Sequence, residues 1–270
     1  MKKDRLEILK KSFDRIPELS VYTIDDFDIK QLSGYTNLNF HLKNAQHDWV
    51  LRIPKEETNS YINRIAEAHN ANIAFNLGLA PKCLWRDSKG YSLSNTIRPS
   101  HSLEKSDLKK PERLNQLIVA VQQLHQSNQI FQGKVNISEL LTRYYQLMPT
   151  SKQQKLANCY ADATMKVKSV LRQDHKLVPS HNDLVLENIL FDEHSNKHKA
   201  WIIDWEYASM ASPYWDLATL CNEGDFTIFQ AENLLSLYQS KDQLLNIKAL
   251  NDYRDILSAL SVFWMSAFVN

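Results

Sequence analysis

Glycine is scarce in this chain: there are five in 270 residues, and only Gly34 falls where a phosphate-binding loop could sit. A Walker-type loop needs two glycines and a lysine at fixed places, so that route to nucleotide binding is excluded. Cysteine is scarcer still. Cys83, Cys159 and Cys221 are far apart and odd in number, which gives no paired-cysteine motif for zinc or redox work and predicts a reduced, cytoplasmic protein. No long hydrophobic run is present either. The longest nearly uncharged stretch, Ile256 to Val269, is about 14 residues, where a membrane-spanning helix needs about 20. Membrane insertion is therefore not expected, and the alternating charges of the N-terminal MKKDRLEILKK do not read as a secretory signal. Neither sign of charge dominates. Thirty-two basic side chains against 31 acidic ones leave no overall field to draw the chain to nucleic acid or anionic lipid.

What is there suffices for a large core, with 43% of residues hydrophobic. Residues 21–54 read as short strands, with a hairpin over Gln31–Leu42 and a strand Trp49–Ile53 closed by Pro54. Residues 58–77 switch to helical spacing, with Ile62, Ile65, Ala66, Ile73 and Leu77 apolar and Gly78 near the end. Two further short strands are expected around Lys82–Trp85 and Tyr91–Ile97. Beyond Pro99 the pattern becomes helical, over 106–127, 138–148 and 151–173, with short strands at Asn188–Phe191 and Ala200–Ile203. This order predicts an α+β fold of two lobes: a strand-rich one over 1–98 and a mostly helical one over 99–270. A small-molecule site is expected in the cleft between them.

Two stretches carry the chemistry. Residues 180–191 read SHNDLVLENILF, and residues 201–207 read WIIDWEY. Asn188 lies five residues past Asp183, and His181 two before it, which is the spacing of the protein-kinase catalytic loop. Asn188 opens one apolar strand and a second delivers Asp204. Phosphoryl transfer needs a group to orient an acceptor hydroxyl, hard oxygen ligands for magnesium, and a cation on the phosphates. Asp183 fits the first role, and Asn188 and Asp204 fit the second. The competing reading is that Asp183 and Asn188 only cap turns and that Asp204 only ends a strand.

HNDLVLENILF followed by IIDWEY resembles the choline/ethanolamine kinases, within the aminoglycoside-phosphotransferase superfamily of protein-kinase-like small-molecule kinases. SGYTNLNFHL is similar to that family's phosphate-covering hairpin, WVLRIP and INRIAE to its next strand and helix, and YWDLATLCNE to the segment after the metal-binding aspartate. The likeness spans roughly 30 to 225. It implies a two-lobed, ATP- and magnesium-dependent kinase in which Asp183 orients or deprotonates the substrate hydroxyl while Asn188 and Asp204 bind the metal. It also implies that Arg52, paired with Glu67, stands on the phosphates, where a guanidinium fork matches phosphate oxygens. Gly34, Thr36 and Asn37 are expected at the hairpin tip, although by their residues alone they describe only a turn. Arg52 read alone is equally an ordinary ion pair.

The resemblance further implies that Glu223 faces a substrate cation, that Asp216 braces the catalytic loop, and that Glu206 and Tyr207 stand beside the site. A quaternary ammonium is held by aromatic faces and a nearby carboxylate, and Tyr207, Tyr214, Trp215 and Trp264 are the candidate rings, with core packing as the alternative for each. A second pocket tryptophan expected three residues past Trp264 is Ala267 instead. A small alcohol such as choline is the expected partner, with thiamine, ethanolamine or an aminoglycoside as competitors, and a catalytically silent binding protein as the reading from another class. A protein kinase is disfavoured, because eleven residues between Asp204 and Asp216 leave no room for a peptide-docking loop. His194 and His198 sit in a polar turn and are not expected to bind metal. The lysine-rich stretch 105–113 reads as a solvated helix start, and His125 as structural.

Overall fold

A computed structural model describes residues 3–34, 36–55, 62–97, 100–173, 176–192, 199–239 and 245–268. The chain opens with α1 (Lys3–Arg15), then runs through β1 (Asp28–Leu32), β2 (Asn37–Lys43) and β3 (Asp48–Pro54) to α2 (Arg64–Asn76). After β4 (Cys83–Arg86) and β5 (Ser92–Asn95), these strands form one antiparallel sheet in the order β1-β2-β3-β5-β4. Alternation along β3 decides what the sheet does. Trp49, Leu51 and Ile53 point inward with Phe40, Leu42 and Leu93, and Leu9 and Phe13 of α1, with Ile16 just after it, cover them. Asp48, Val50 and Arg52 consequently face the other way, into a cleft.

The second part starts with β6 (Ser100–Ser102) and is dominated by α3 (Pro111–His125), α4 (Ile137–Leu147), α5 (Thr150–Lys155) and α6 (Ala157–Leu171). Strands β7 (Val178–Ser180), β8 (Ile189–Asp192), β9 (Ala200–Ile202) and β10 (Ser209–Ala211) follow, and then α7 (Tyr214–Glu223), α8 (Ile228–Tyr238) and α9 (Ile247–Phe268). The short strands pair as β6-β8-β9 and β10-β7, both antiparallel. They hold the loops that carry SHNDLVLEN and IIDWEY against the apolar stripe of α3, where Leu117, Ile118, Val121 and Leu124 are buried. Among the described residues no helix is long and apolar enough to cross a membrane.

The architecture is the expected α+β arrangement, with differences at particular elements. The N-terminal segment, read only for its lack of a signal, forms α1 and seals the sheet. The helix expected over 106–127 starts at Pro111, since Lys110 before the proline is extended (φ −86°, ψ 118°) and only a 3-10 turn, Asp107–Lys109, precedes it. The helix expected over 151–173 is broken at Leu156 (φ −102°, ψ 9°), whose side chain packs on the large core. Helix α2 begins at Arg64, where the Asn63 side chain accepts from Ala66 N–H; residues 58–61 of its expected span lie outside the described residues, as do His194, His198 and the anticipated lobe join at 98–99.

Helix α2 does not belong wholly to the sheet. Ala74, Leu79 and Ala80 are part of the large helical core. Asn70, fully buried, donates to the carbonyls of Gln132 (3.0 Å) and Ala208 (2.7 Å) and accepts from Gln132 N–H (2.8 Å). The helix that carries Glu67 is thereby tied to the part that carries Asp204. Asn70→Ala strands those buried groups and is expected to lower unfolding free energy by about 2–3 kcal/mol in urea denaturation; a loss under about 0.5 kcal/mol would assign the tie to packing instead.

Candidate active site

The loop after β7 is set by one carboxylate. Asp216 of α7 is fully buried and accepts from the backbone N–H groups of His181 (2.9 Å) and Asn182 (2.8 Å). His125 Nε2 lies 3.0 Å from the same carboxylate, with Tyr238 Oη 2.8 Å from its Nδ1. Burial pushes the Asp216 carboxyl up, but His125 and His181 outweigh it and hold it below the usual range. Asn182 takes a left-handed backbone (φ 64°), which asparagine tolerates, and its side chain donates to Tyr207 O and Ser209 Oγ. Trp215 Nε1 donates to Asn182 O at 2.9 Å. The His181 Nε2–H donates to Ile203 O at 3.0 Å, and burial, working against Asp216, keeps this ring below its ordinary pKa and neutral. His181 is a structural member of the motif.

With the loop held, Asp183 and Asn188 meet. The Asn188 amide nitrogen donates to Asp183 O (2.9 Å) and Oδ2 (3.1 Å), which leaves its oxygen for a cation. Asp204, two residues past the end of β9, is also left-handed (φ 63°, ψ 67°) and lies in the same cleft with Asp183 and Asn188. Removal from water, together with Asp204 and Glu206, pushes Asp183 up to about 7. Asp204 and Glu206 are raised as well, by burial first, despite Arg52. The Asn188 oxygen and the Asp204 carboxylate are hard donors of the kind a divalent cation takes, although among the described residues no group of three or more acidic, His or Cys side chains could hold a metal by itself. Asn188 and Asp204 fit magnesium, which takes one or two protein ligands and completes its shell with water and phosphate.

Arg52 reaches across the cleft. Its Nη2 bonds Glu67 and its Nη1 lies 3.2 Å from Asp204 Oδ1, while its buried Nε has no partner among the described residues. Glu67, 1% exposed, also accepts from Arg64 Nη1 (2.8 Å) and Arg86 Nη1 (2.9 Å). Burial pushes Glu67 up, but these arginines prevail and hold it below the usual range.

The expected residues separate as follows. Asp183, Asn188, Asp204, Arg52, Gly34, Thr36, Tyr207, Trp215, Glu223 and Trp264 line one continuous cleft. Gly34 is required at its turn, because a Cβ there would stand 2.7 Å from Asn37 O. Three expectations need correction. Asn37 is buried, and its amide donates to Glu206 Oε2 (3.0 Å), so it braces an acid and is not part of the cleft lining. Glu67 likewise is sealed from the cleft and reaches it through Arg52. Tyr214 is fully buried, stacked on Tyr253 at 5.6 Å, and accepts from Asn246 N–H, because the first turn of α7 faces the core. At the far end of the cleft Glu223 Oε2 accepts from Leu186 N–H (3.2 Å), with burial raising its pKa. There Tyr144 and Phe268, unforeseen, join Trp264: Phe268 lies 6.1 Å from Tyr144 and 5.9 Å from Trp264, ring centre to ring centre. The second ring that the family resemblance implies at 267 is replaced by Ala267, which packs on the core, while the next residue lines the cleft. Arg86 gave no signal, since it meets Glu67 only across the folded sheet.

A small antiparallel lobe over a helical one, with Asp, Asn and Asp converging beneath an Arg–Glu pair, defines a phosphotransferase of the protein-kinase-like type. Residues 28–249 match the phosphotransferase enzyme family, and the chain belongs to that family. It is 31% identical over 215 residues to protein LicA of Haemophilus influenzae, covering 77% of this chain and 61% of that one, so it spans about three fifths of that relative's length. The choline kinase LicA of Streptococcus pneumoniae has the same fold (TM-score 0.83, 23% identity, 97% of this chain and 89% of that one). So does a choline/ethanolamine kinase family protein of Mesorhizobium loti (TM-score 0.77, 25% identity, 96% and 84%).

The raised Asp183 predicts a pH signature. Its folded pKa of about 7 lies well above the usual carboxylate range, so the stability its neutral form contributes is present at low pH and is lost as pH rises toward 7. Asp183→Asn is therefore expected to melt above wild type at pH 8 and to lose that advantage at pH 4; an equal difference at both would refute the shift.

Proposed function

We propose that this protein is an ATP- and magnesium-dependent kinase that phosphorylates the hydroxyl of a small cationic alcohol, with choline as the leading acceptor, in a reducing cytoplasm. One observation carries the reading: a single cleft runs from Arg52 through Asp183, Asn188 and Asp204 to Glu223 and the rings of Tyr144, Trp264 and Phe268. Nucleotide at one end is supported by the family and by the shared fold of a LicA solved in complex with AMP. Bound magnesium would neutralise phosphate charge and bridge the nucleotide to the protein; Asn188 Oδ1 and the Asp204 carboxylate are the residues to hold it.

The chain's own groups do the rest. Arg52 leaves Asp204 for the phosphates. Asp183 accepts a hydrogen bond from the acceptor hydroxyl and aims its oxygen at the γ-phosphorus. The new O–P bond forms as the bond to the β–γ bridging oxygen breaks, ADP departs, and the hydroxyl proton passes to Asp183 and on to water. At the acceptor end a quaternary head has no N–H to donate, so aromatic faces at about 0.5–2 kcal/mol each and the Glu223 carboxylate suit it. The intact acid set argues against a silent binding protein.

The direct test is ATP consumption with choline, ethanolamine, thiamine and aminoglycosides in turn. Choline is expected to give the highest kcat/KM, and no turnover with any of them would end the proposal. Asp183→Asn is expected to lower kcat by roughly 10²–10⁴-fold with nucleotide affinity unchanged. Glu223→Gln keeps an oxygen for Leu186 N–H but loses the charge, so KM for choline should rise about tenfold while KM for ATP stays; unchanged constants would remove Glu223 from the acceptor site.

A further inference from the structure

The outer hairpin of the sheet has little of its own to hold it. Strand β1 pairs with β2 alone, and Gln31, Leu32, Ser33 and Gly34 are exposed. Within the sheet, Asn39 Nδ2 donates to Ser33 O (3.1 Å) and Lys55 N–H to Thr36 O (3.2 Å). Gly34 and Thr36 nevertheless line the cleft, and the register sets Asn37 opposite Pro54, two places along β3 from Arg52. This end of the hairpin therefore stands beside the guanidinium assigned to the phosphates.

A further anchor crosses to the helical part. Asn37 uses both amide protons: one goes to Thr36 Oγ1 (3.0 Å) and the other to Glu206 Oε2 (3.0 Å). The Thr36 hydroxyl bonds the same carboxylate, and Arg64 Nη1 reaches it at 3.3 Å. Glu206 lies in the turn Trp205–Tyr207, two residues past Asp204. Asn37 itself is 1% exposed and lies outside the cleft lining, so it acts on a ligand through what it holds. Its Oδ1 is buried with no partner among the described residues. An unmade buried acceptor costs stability, so what asparagine supplies here is its two donors. Turning the amide over would set that oxygen against the carboxylate, so Glu206 fixes which way it points.

Resting on the kinase reading above, we propose that Asn37 is a positioning residue for the outer phosphates of the nucleotide: it ties the end of the β1–β2 hairpin to the turn after Asp204 and so sets the gap in which those phosphates lie. Thr36 borders that gap from the sheet and Asp204 from the helical part. Without the bond to Glu206 the hairpin end is left on its backbone bonds at Ser33 and Thr36, and the phosphates lose one wall. The acceptor end, bordered by Glu223 of α7 and Trp264 of α9, keeps its walls.

Calorimetric titration with ATP and with AMP, each with magnesium, separates this from a structural role, since AMP lacks the two outer phosphates. In the wild type ATP must bind; if it does not, the kinase reading fails and this proposal falls with it. Asn37→Ala is expected to raise Kd and KM for ATP by about 10- to 100-fold, with Kd for AMP and KM for the acceptor unchanged. Asn37→Asp, which opposes two carboxylates, is expected to weaken ATP by at least as much. Adding Glu206→Gln to Asn37→Asp reverses the bond, with the new amide donating to the new carboxylate. That pair is expected to recover most of the loss, and it serves as the test if the alanine variant does not fold. An unchanged ATP affinity in Asn37→Ala, AMP weakened as much as ATP, or a double variant no better than Asn37→Asp would each overturn the proposal.

Discussion

The guanidinium of Arg52, held between Glu67 and Asp204, is the contact on which the rest of the molecule depends. It joins the sheet to the helical part at the point where chemistry is expected, and its position follows from simple alternation. Trp49, Leu51 and Ile53 must enter the apolar core, so Arg52 has to leave it. The bridge balances charges that could not be buried singly. It also seats a cation on the carboxylate that, in the proposed reading, would take the metal.

Rigidity lies on the other side of the cleft. Asp216, His125 and Tyr238 form a buried chain behind the loop that follows β7, and two left-handed residues, Asn182 in that loop and Asp204 after β9, are held by hydrogen bonds and strand pairing. Left-handed backbone at such positions persists because its surroundings over-determine it. The acids in front of this brace are raised in pKa while Asp216 behind it is lowered. Burial is common to both. The difference is donors: Asp216 receives two backbone N–H bonds and an imidazole, whereas Asp183 receives mainly the Asn188 amide and faces other acids.

How much of this was readable from the chain differs by element. Asp183, Asn188 and Asp204 were legible because loop chemistry fixes spacing along a local stretch. Arg52 and Glu67 were legible only through the family resemblance, since by themselves they read as an ordinary ion pair. Arg86, Tyr144 and Phe268 were not, since each meets its partners only across tertiary contacts with no local pattern. Tyr214 and Asn37 were misjudged for a related reason: residue type suggested a ligand contact, while the pitch of α7 and the depth of β2 turned both side chains inward. The break at Leu156 and the late start of α3 reflect local backbone geometry overriding smooth apolar periodicity. At the acceptor end, family spacing pointed to position 267, but the aromatic surface is completed one residue later and from α4.

The most direct measurement is anomalous diffraction from crystals grown with manganese and a non-hydrolysable ATP analogue. The expected result is a metal peak touching both Asn188 Oδ1 and the Asp204 carboxylate, with Arg52 parted from Asp204 and lying on the phosphates. Metal bound away from these two side chains, or Arg52 still seated on Asp204 beneath an ordered nucleotide, would contradict the central claim.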